Sequence, residues 1–101
     1  MSELNFKNRV AIVTAAGSGL GKAYAKWFAS RGVKVVVHDI ETKSANQSQN
    51  NNRLSLADEV VDEIKAAGGI AIASTIPLEF GDKVVQAAVD AFGGVDILIN
   101  N

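Results

Sequence analysis

Four short runs of aliphatic, mostly β-branched residues set the terms for any fold this chain can adopt: VAIVT (Val10–Thr14), VKVVVHD (Val33–Asp39), IAIAST (Ile70–Thr75) and VDILIN (Val95–Asn100). Each is apolar almost throughout instead of alternating, which is the pattern of a strand covered on both faces. Helical periods lie between them. Leu20, Ala23, Tyr24, Trp27 and Phe28 recur at i, i+3, i+4, i+7 and i+8 and are expected to form the core-facing stripe of a first helix. Leu56, Val60 and Ile64 make a second stripe, opened by Ser55-x-x-Asp58, a capping box with Asp in place of Glu or Gln. Val85, Ala88, Val89 and Phe92 make a third, closed by Gly93-Gly94. The order β-α-β-α-β-α-β requires parallel strands with right-handed helical crossovers. The expected class is therefore α/β, a doubly wound parallel sheet.

Composition narrows the function. The 101 residues are 48% hydrophobic and 21% charged with a formal net charge of −1, so no electrostatic case exists for nucleic acid or an anionic membrane. Cysteine is absent, which removes disulfides, thiolate metal sites and thiol nucleophiles together. The N-terminal MSELNFKNRV has no apolar signal core and no run approaches a membrane span. A soluble intracellular protein is expected. Glu41–Arg53 (ETKSANQSQNNNR) is polar and low in complexity, and is expected to be a solvated loop between the second strand and its helix.

After the first strand the chain reads TAAGSGLGKA (Thr14–Ala23), with Gly17, Gly19 and Gly21 falling in five residues. A strand feeding such a loop and then a helix aims free backbone N–H groups and the positive helix end at one point, where a pyrophosphate can sit. Thr14, Gly17, Ser18, Gly19, Leu20 and Gly21 are the candidate phosphate cradle. A magnesium-nucleotide loop of the form G-x-x-x-x-G-K-[ST] is excluded, because Ala16 holds the first glycine position and Ala23 the hydroxyl position. Asp39 ends the second strand about 20 residues after the glycines, where an acidic side chain accepts hydrogen bonds from the ribose hydroxyls of NAD. Ala16, Ser18, Ile40 and Glu41 offer no cation to a 2′-phosphate, which favours NAD over NADP. A flap role for Glu41–Arg53 over the cofactor's adenosine end is the alternative to a plain loop. His38, the single histidine, is expected to be a loop-edge residue, and no metal site is expected.

The stretch FKNRVAIVTAAGSGLGKAYAKWFASRGVKVVVHD (Phe6–Asp39) resembles the opening of the short-chain dehydrogenase/reductase family, whose loop reads T-G-x-x-x-G-x-G. LSLADEVVDEIKAAGG and GDKVVQAAVDAFGGVDILINN are similar to one branch, the (3R)-hydroxyacyl-CoA dehydrogenase domain of peroxisomal multifunctional β-oxidation enzymes, particularly the fungal ones. The resemblance covers nearly the whole chain apart from the Glu41–Arg53 loop. It implies a Rossmann-type sheet truncated after its fourth strand, with residues 1–101 a partial dinucleotide-binding domain. It also implies an NAD cofactor, oxidation of 3-hydroxyacyl-CoA to 3-oxoacyl-CoA, and a peroxisomal address. On this pattern Thr14, Gly19 and Gly21 fall on the loop, Leu20 on the apolar residue beside the pyrophosphate, and Asp39 on the ribose acid. Asn100 and Asn101 fall on the paired asparagines that border the cofactor's ribose.

Three departures from the family pattern matter. Ala15 stands in place of the first glycine and Ile76 in place of the aspartate that contacts adenine, and both imply weakened NAD binding. The catalytic serine, tyrosine and lysine are absent: Tyr24, the only tyrosine, is followed four residues later by Phe28, and its place in the first stripe makes it an expected core residue. The resemblance therefore implies no catalytic residue within this chain and no activity for it alone. Two readings follow: the cofactor-binding N-terminal portion of a dehydrogenase, or a non-catalytic nucleotide-binding or interaction module of the same descent. On either, the fourth strand is left as an apolar edge blunted by Asp96 alone, which calls for a protein partner or the rest of the domain.

Overall fold

A computed structural model describes residues 7–40, 42–44, 53–77, 79 and 81–101. The elements are β1 (Val10–Val13), α1 (Gly19–Ser30), β2 (Lys34–His38), β3 (Thr42–Ser44), β4 (Arg53–Ser55), α2 (Leu56–Ala66), β5 (Ile70–Ser74), α3 (Gly81–Phe92) and β6 (Ile97–Ile99). Four strands make one parallel sheet in the order β5-β2-β1-β6. Its register pairs Val10 with Lys34, Lys34 with Ile70, and Ala11 with Ile97. The doubly wound parallel sheet read from the four apolar runs is thus the observed one.

Both faces of the sheet are covered, as the uninterrupted apolar runs require. Ala11, Val13, Val35, Val37 and Ala71 point to one side and pack with Ala25, Ala29, Val60 and Ile64 of α1 and α2. Val10, Ile12 and Val36 point to the other and pack with Val84 and Ala88 of α3. Full burial of each such valine or isoleucine contributes about 1.5–3 kcal/mol. Ser55 caps α2, its hydroxyl accepting the Asp58 N–H at 3.3 Å, which is the serine half of the expected capping box. Gly93, with φ +92, ends α3.

Two expectations about helix faces are overturned. The buried residues of α1 are Gly21, Ala25 and Ala29, spaced at i, i+4 and i+8, while Leu20, Tyr24 and Trp27 are 60%, 40% and 46% exposed. Small residues win the sheet-facing side because they let the helix lie close to β1 and β2, and the large ones are turned outward. Tyr24 is therefore not a core residue. In α3 the same rotation buries Val84 and Ala88 and leaves Val85 and Val89 exposed.

Within the segment expected as a loop between β2 and α2, Thr42–Ser44 pairs antiparallel with Arg53–Ser55, Thr42 opposite Ser55. Polar composition hid this ribbon, since two three-residue strands leave no hydrophobic period to detect. The suggested flap over a cofactor falls largely on residues outside the described ones.

Candidate functional site

The C-terminal ends of β1 and β2 meet at the glycine loop. Backbone bonds tie the loop to both neighbours: the Ala16 N–H donates to the His38 carbonyl at 2.9 Å and the Thr14 N–H to the Ile99 carbonyl at 3.0 Å. Asp39, 6% exposed, accepts the Gly17 N–H through Oδ2 at 2.9 Å. One carboxylate thus fixes the end of β2 against the middle of the loop.

The three glycines do three separate jobs. A Cβ on Gly21 would collide with the Ala15 carbonyl oxygen and lie 2.7 Å from Asn101 Nδ2, so the absence of a side chain lets α1 start against the loop. A Cβ on Gly17 would strike Leu56 at the head of α2 and sit 2.8 Å from Asp39 Oδ2. Gly19 is different: its φ is +57 and nothing lies within 4 Å of where its Cβ would be. The space in front of the helix start is open, and Ser18, extended at φ −160, makes no side-chain cap to the first-turn amides. Those amides are placed to receive an anion. Leu20, 60% exposed, stands at the same opening.

Ala15 adopts φ +52, the left-handed conformation that a glycine takes freely and a Cβ resists at roughly 1–2 kcal/mol. Alanine therefore keeps the glycine backbone geometry and carries the strain itself. Behind it, Thr14 and the end of β6 form a polar knot. Thr14 Oγ1 accepts the Asn101 N–H at 3.0 Å and lies 3.3 Å from Asn100 Oδ1, to which it donates. Asn101 Nδ2 donates to the Ala15 carbonyl at 3.4 Å. Thr14, Gly17, Ser18, Gly19, Leu20, Gly21, Asp39 and Asn100 are thus brought to one end of the sheet.

His38 is not at a loop edge. It is the last residue of β2, 2% exposed, with Nε2 2.6 Å from the Ile76 carbonyl oxygen. That contact makes Nε2–H the donor and anchors the turn after β5. Nδ1 of His38 and Oγ of Ser74, residues in register on β2 and β5, are buried with no hydrogen-bond partner. Sequence reasoning missed this anchor because a strand-end histidine carries no periodic signal. Of the side chains near Ile76, Ser74 is buried and Thr75 exposed; Ile76 itself packs against the α3-side core. Among the described residues no cluster of metal-ligating side chains occurs, and no helix is long and apolar enough to cross a membrane.

A parallel sheet whose first turn is a glycine loop answered by an acid at the end of the second strand is the arrangement of the dinucleotide-binding α/β class. The family comparison makes that class specific. Residues 9–101 match the short chain dehydrogenase family, and the chain belongs to it. Peroxisomal multifunctional enzyme A of Dictyostelium discoideum is 56% identical over 98 residues, which take in 97% of this chain and 22% of that protein. The peroxisomal hydratase-dehydrogenase-epimerase of Neurospora crassa is 50% identical over 99 residues, 98% of this chain and 11% of that protein. A short chain dehydrogenase of Mycobacterium avium superposes with a TM-score of 0.79 at 43% identity, covering 94% of this chain and 33% of the other. A 7α-hydroxysteroid dehydrogenase complexed with NADH and 7-oxo glycochenodeoxycholic acid gives 0.79 at 36% identity, with 96% and 34% covered. The chain thus spans well under half the length of each of these proteins.

Proposed function

We propose that this chain is the NAD-gripping portion of a (3R)-hydroxyacyl-CoA dehydrogenase. The parent reaction passes hydride from the 3-hydroxyl carbon of an acyl-CoA to the nicotinamide and leaves a 3-oxoacyl-CoA. The observation that carries the reading is the Asp39–Gly17 bond at 2.9 Å beside the open helix start at Gly19, in a chain that is 56% and 50% identical to peroxisomal multifunctional enzymes. Gly19 and the first-turn amides of α1 would receive the pyrophosphate. Asp39 would accept from the adenosine ribose hydroxyls and repel a 2′-phosphate, and Thr14 with Asn100 would hold the nicotinamide-side end of the cradle. NAD supplies the hydride acceptor; the role of this chain is to place it. The peroxisome is the compartment that goes with this reading.

Binding by the chain alone is weak on this reading. Ile76 offers adenine no carboxylate, and Asp39 is already engaged by the Gly17 N–H. The Ala15 strain falls on holding the loop in shape, and strain of about 1–3 kcal/mol corresponds to roughly a five- to hundredfold loss if it is relieved only when the cofactor leaves. Calorimetric titration of the chain with NADH and NADPH tests the proposal. NADH binding at least tenfold tighter than NADPH is expected, with no turnover of 3-hydroxyacyl-CoA. Equal affinity for the two, or none for NADH in a folded sample, would sink the reading.

A further inference from the structure

The order β5-β2-β1-β6 decides which way a dinucleotide runs across this sheet. A pyrophosphate belongs at the open start of α1, after β1, and the adjoining ribose at Asp39, directly after β2. In the described sheet β5 alone lies beyond β2, so the base on that ribose comes to rest over the ends of β2 and β5. His38 and Ser74 are the last residues of those strands and stand in register. Ile40 and Ile76 each follow that pair by two positions, and Pro77 comes next. These are the residues a base would meet.

A purine is told from its analogues by one edge. Adenine presents an amino donor beside a ring-nitrogen acceptor; hypoxanthine presents a carbonyl acceptor beside a ring N–H donor. The two rings are nearly equal in size and opposite in hydrogen-bonding sense. A protein group whose role is fixed, donor alone or acceptor alone, separates them, and an ambivalent or apolar group does not.

At these two strand ends the polar side chains of fixed role are turned inward or spoken for. His38 is 2% exposed and its Nε2–H donates to the Ile76 carbonyl at 2.6 Å, which directs that carbonyl to a buried ring. Ser74 Oγ is buried. The Ser74 carbonyl accepts the Asp39 N–H at 3.0 Å, so the Thr75 N–H, on the far side of the same peptide plane, points away from β2. Pro77 has no N–H. Asp39 takes the Gly17 N–H and faces the ribose. Thr75 is exposed, and its hydroxyl donates to one ring as well as it accepts from the other. What the described residues turn outward is carbon: Ile40, 59% exposed, the exposed Pro77, and Ile76, half-buried against the α3-side core.

We propose that this end of the site holds a purine by apolar contact and does not read its hydrogen-bonding edge, so that a nicotinamide dinucleotide carrying hypoxanthine is taken as readily as NAD. Ile40, Ile76 and Pro77 are the residues that set this tolerance. It rests on the NAD reading for where the base lies, and widens that reading from NAD to purine dinucleotides as a class.

The test is calorimetric titration of the 101-residue chain with NADH and with reduced nicotinamide hypoxanthine dinucleotide, which differ only along the purine edge. Dissociation constants within about threefold of each other are expected. Ile76→Asp supplies an acceptor of fixed role and should open a preference for NADH of about tenfold or more. Thr75→Asp, at an exposed position, supplies the same group where Ile76→Asp does not fold. Ile40→Ser should weaken both dinucleotides by one common factor, about three- to tenfold. A preference for NADH of about tenfold in the unaltered chain would overturn the proposal by assigning the reading to a backbone donor of the turn. A folded aspartate variant that still treats the two alike would overturn it as well, as would Ile40→Ser that changes neither, since each puts the base elsewhere. Failure of the NAD reading looks different: a folded chain binds neither dinucleotide, and the tolerance falls with it.

Discussion

The glycine loop at the C-terminal end of β1 contrasts with the β6 side. At the glycine loop, Ala16, Gly17 and Thr14 each donate a backbone N–H to a named acceptor, and two glycines exist because neighbouring atoms leave no room for a Cβ. At β6, Leu98 and the outer faces of α1 and α3 hold large apolar side chains in the open. At the loop, backbone donors and close contacts are met by neighbouring residues; at β6, the apolar side chain of Leu98 faces outward. The loop draws its contacts from the whole length of the chain, from Asp39 and Leu56 to Ile99, Asn100 and Asn101.

The contrast can be broken at the tight end first. Gly21→Val forces a branched side chain into the Ala15 carbonyl and Asn101, and should lower unfolding free energy by about 3 kcal/mol, read as a drop in urea midpoint; tolerance of valine would mean the cradle is looser than the packing implies. Next in size is Asp39→Ala, which strands the buried Gly17 N–H and should cost about 1–3 kcal/mol, with Asp39→Asn milder because an acceptor remains. Ala15→Gly should act in the opposite direction. Release from φ +52, less the added freedom of glycine in the unfolded chain, should leave a gain of roughly half to one kcal/mol. A higher melting temperature would place the strain in the free protein. A severalfold tighter NADH affinity with unchanged melting would place it in the bound loop.

The smallest effect belongs to the surface. Glu63 on α2 meets Lys26 at 2.9 Å and Lys22 at 3.1 Å on α1, and hydrogen bonds to these two lysines hold its carboxyl below the ordinary value of 4.5. A carboxyl depressed in the folded state contributes stability above its unfolded pKa, and that contribution disappears as pH falls through the lower folded value. Glu63→Gln should therefore flatten the melting temperature's dependence on pH only below about 4.5, and salt should shrink even that difference. A Glu63→Gln effect as large at neutral pH in high salt would show that packing, not charge, joins the two helices there.

How far the sequence carried depended on which physical signal each element sends. Unbroken β-branched runs announced the parallel strands, and Gly17, Gly19, Gly21 and Asp39 announced a tight strand-to-helix turn at the end of the sheet, because both depend on local composition. The face of α1 did not follow from periodicity. Leu20, Tyr24 and Trp27 obey the amphipathic spacing as well as Gly21, Ala25 and Ala29 obey the close-packing one, and only the tertiary fit decides between two apolar faces. The ribbon of β3 and β4 and the burial of His38 were invisible for a related reason, since three-residue strands and a single polar contact leave no period to count.

The register of the sheet has a consequence for how such a chain is made. β1 lies in the middle of the sheet, pairing on one side with β2 and on the other with β6, where Ala11 meets Ile97. The Val10 N–H waits for an Asp96 carboxylate 86 positions later in the chain. At ordinary translation speeds of about 5–20 residues per second, the first strand emerges on the order of ten seconds before the one that closes its second edge. Through that interval VAIV is an unpaired aliphatic edge on a nascent chain, and contacts this distant in sequence are slow to form. The strand that seals β1 is thus made long after it, so the middle of the sheet is completed late and its first strand waits exposed on one edge.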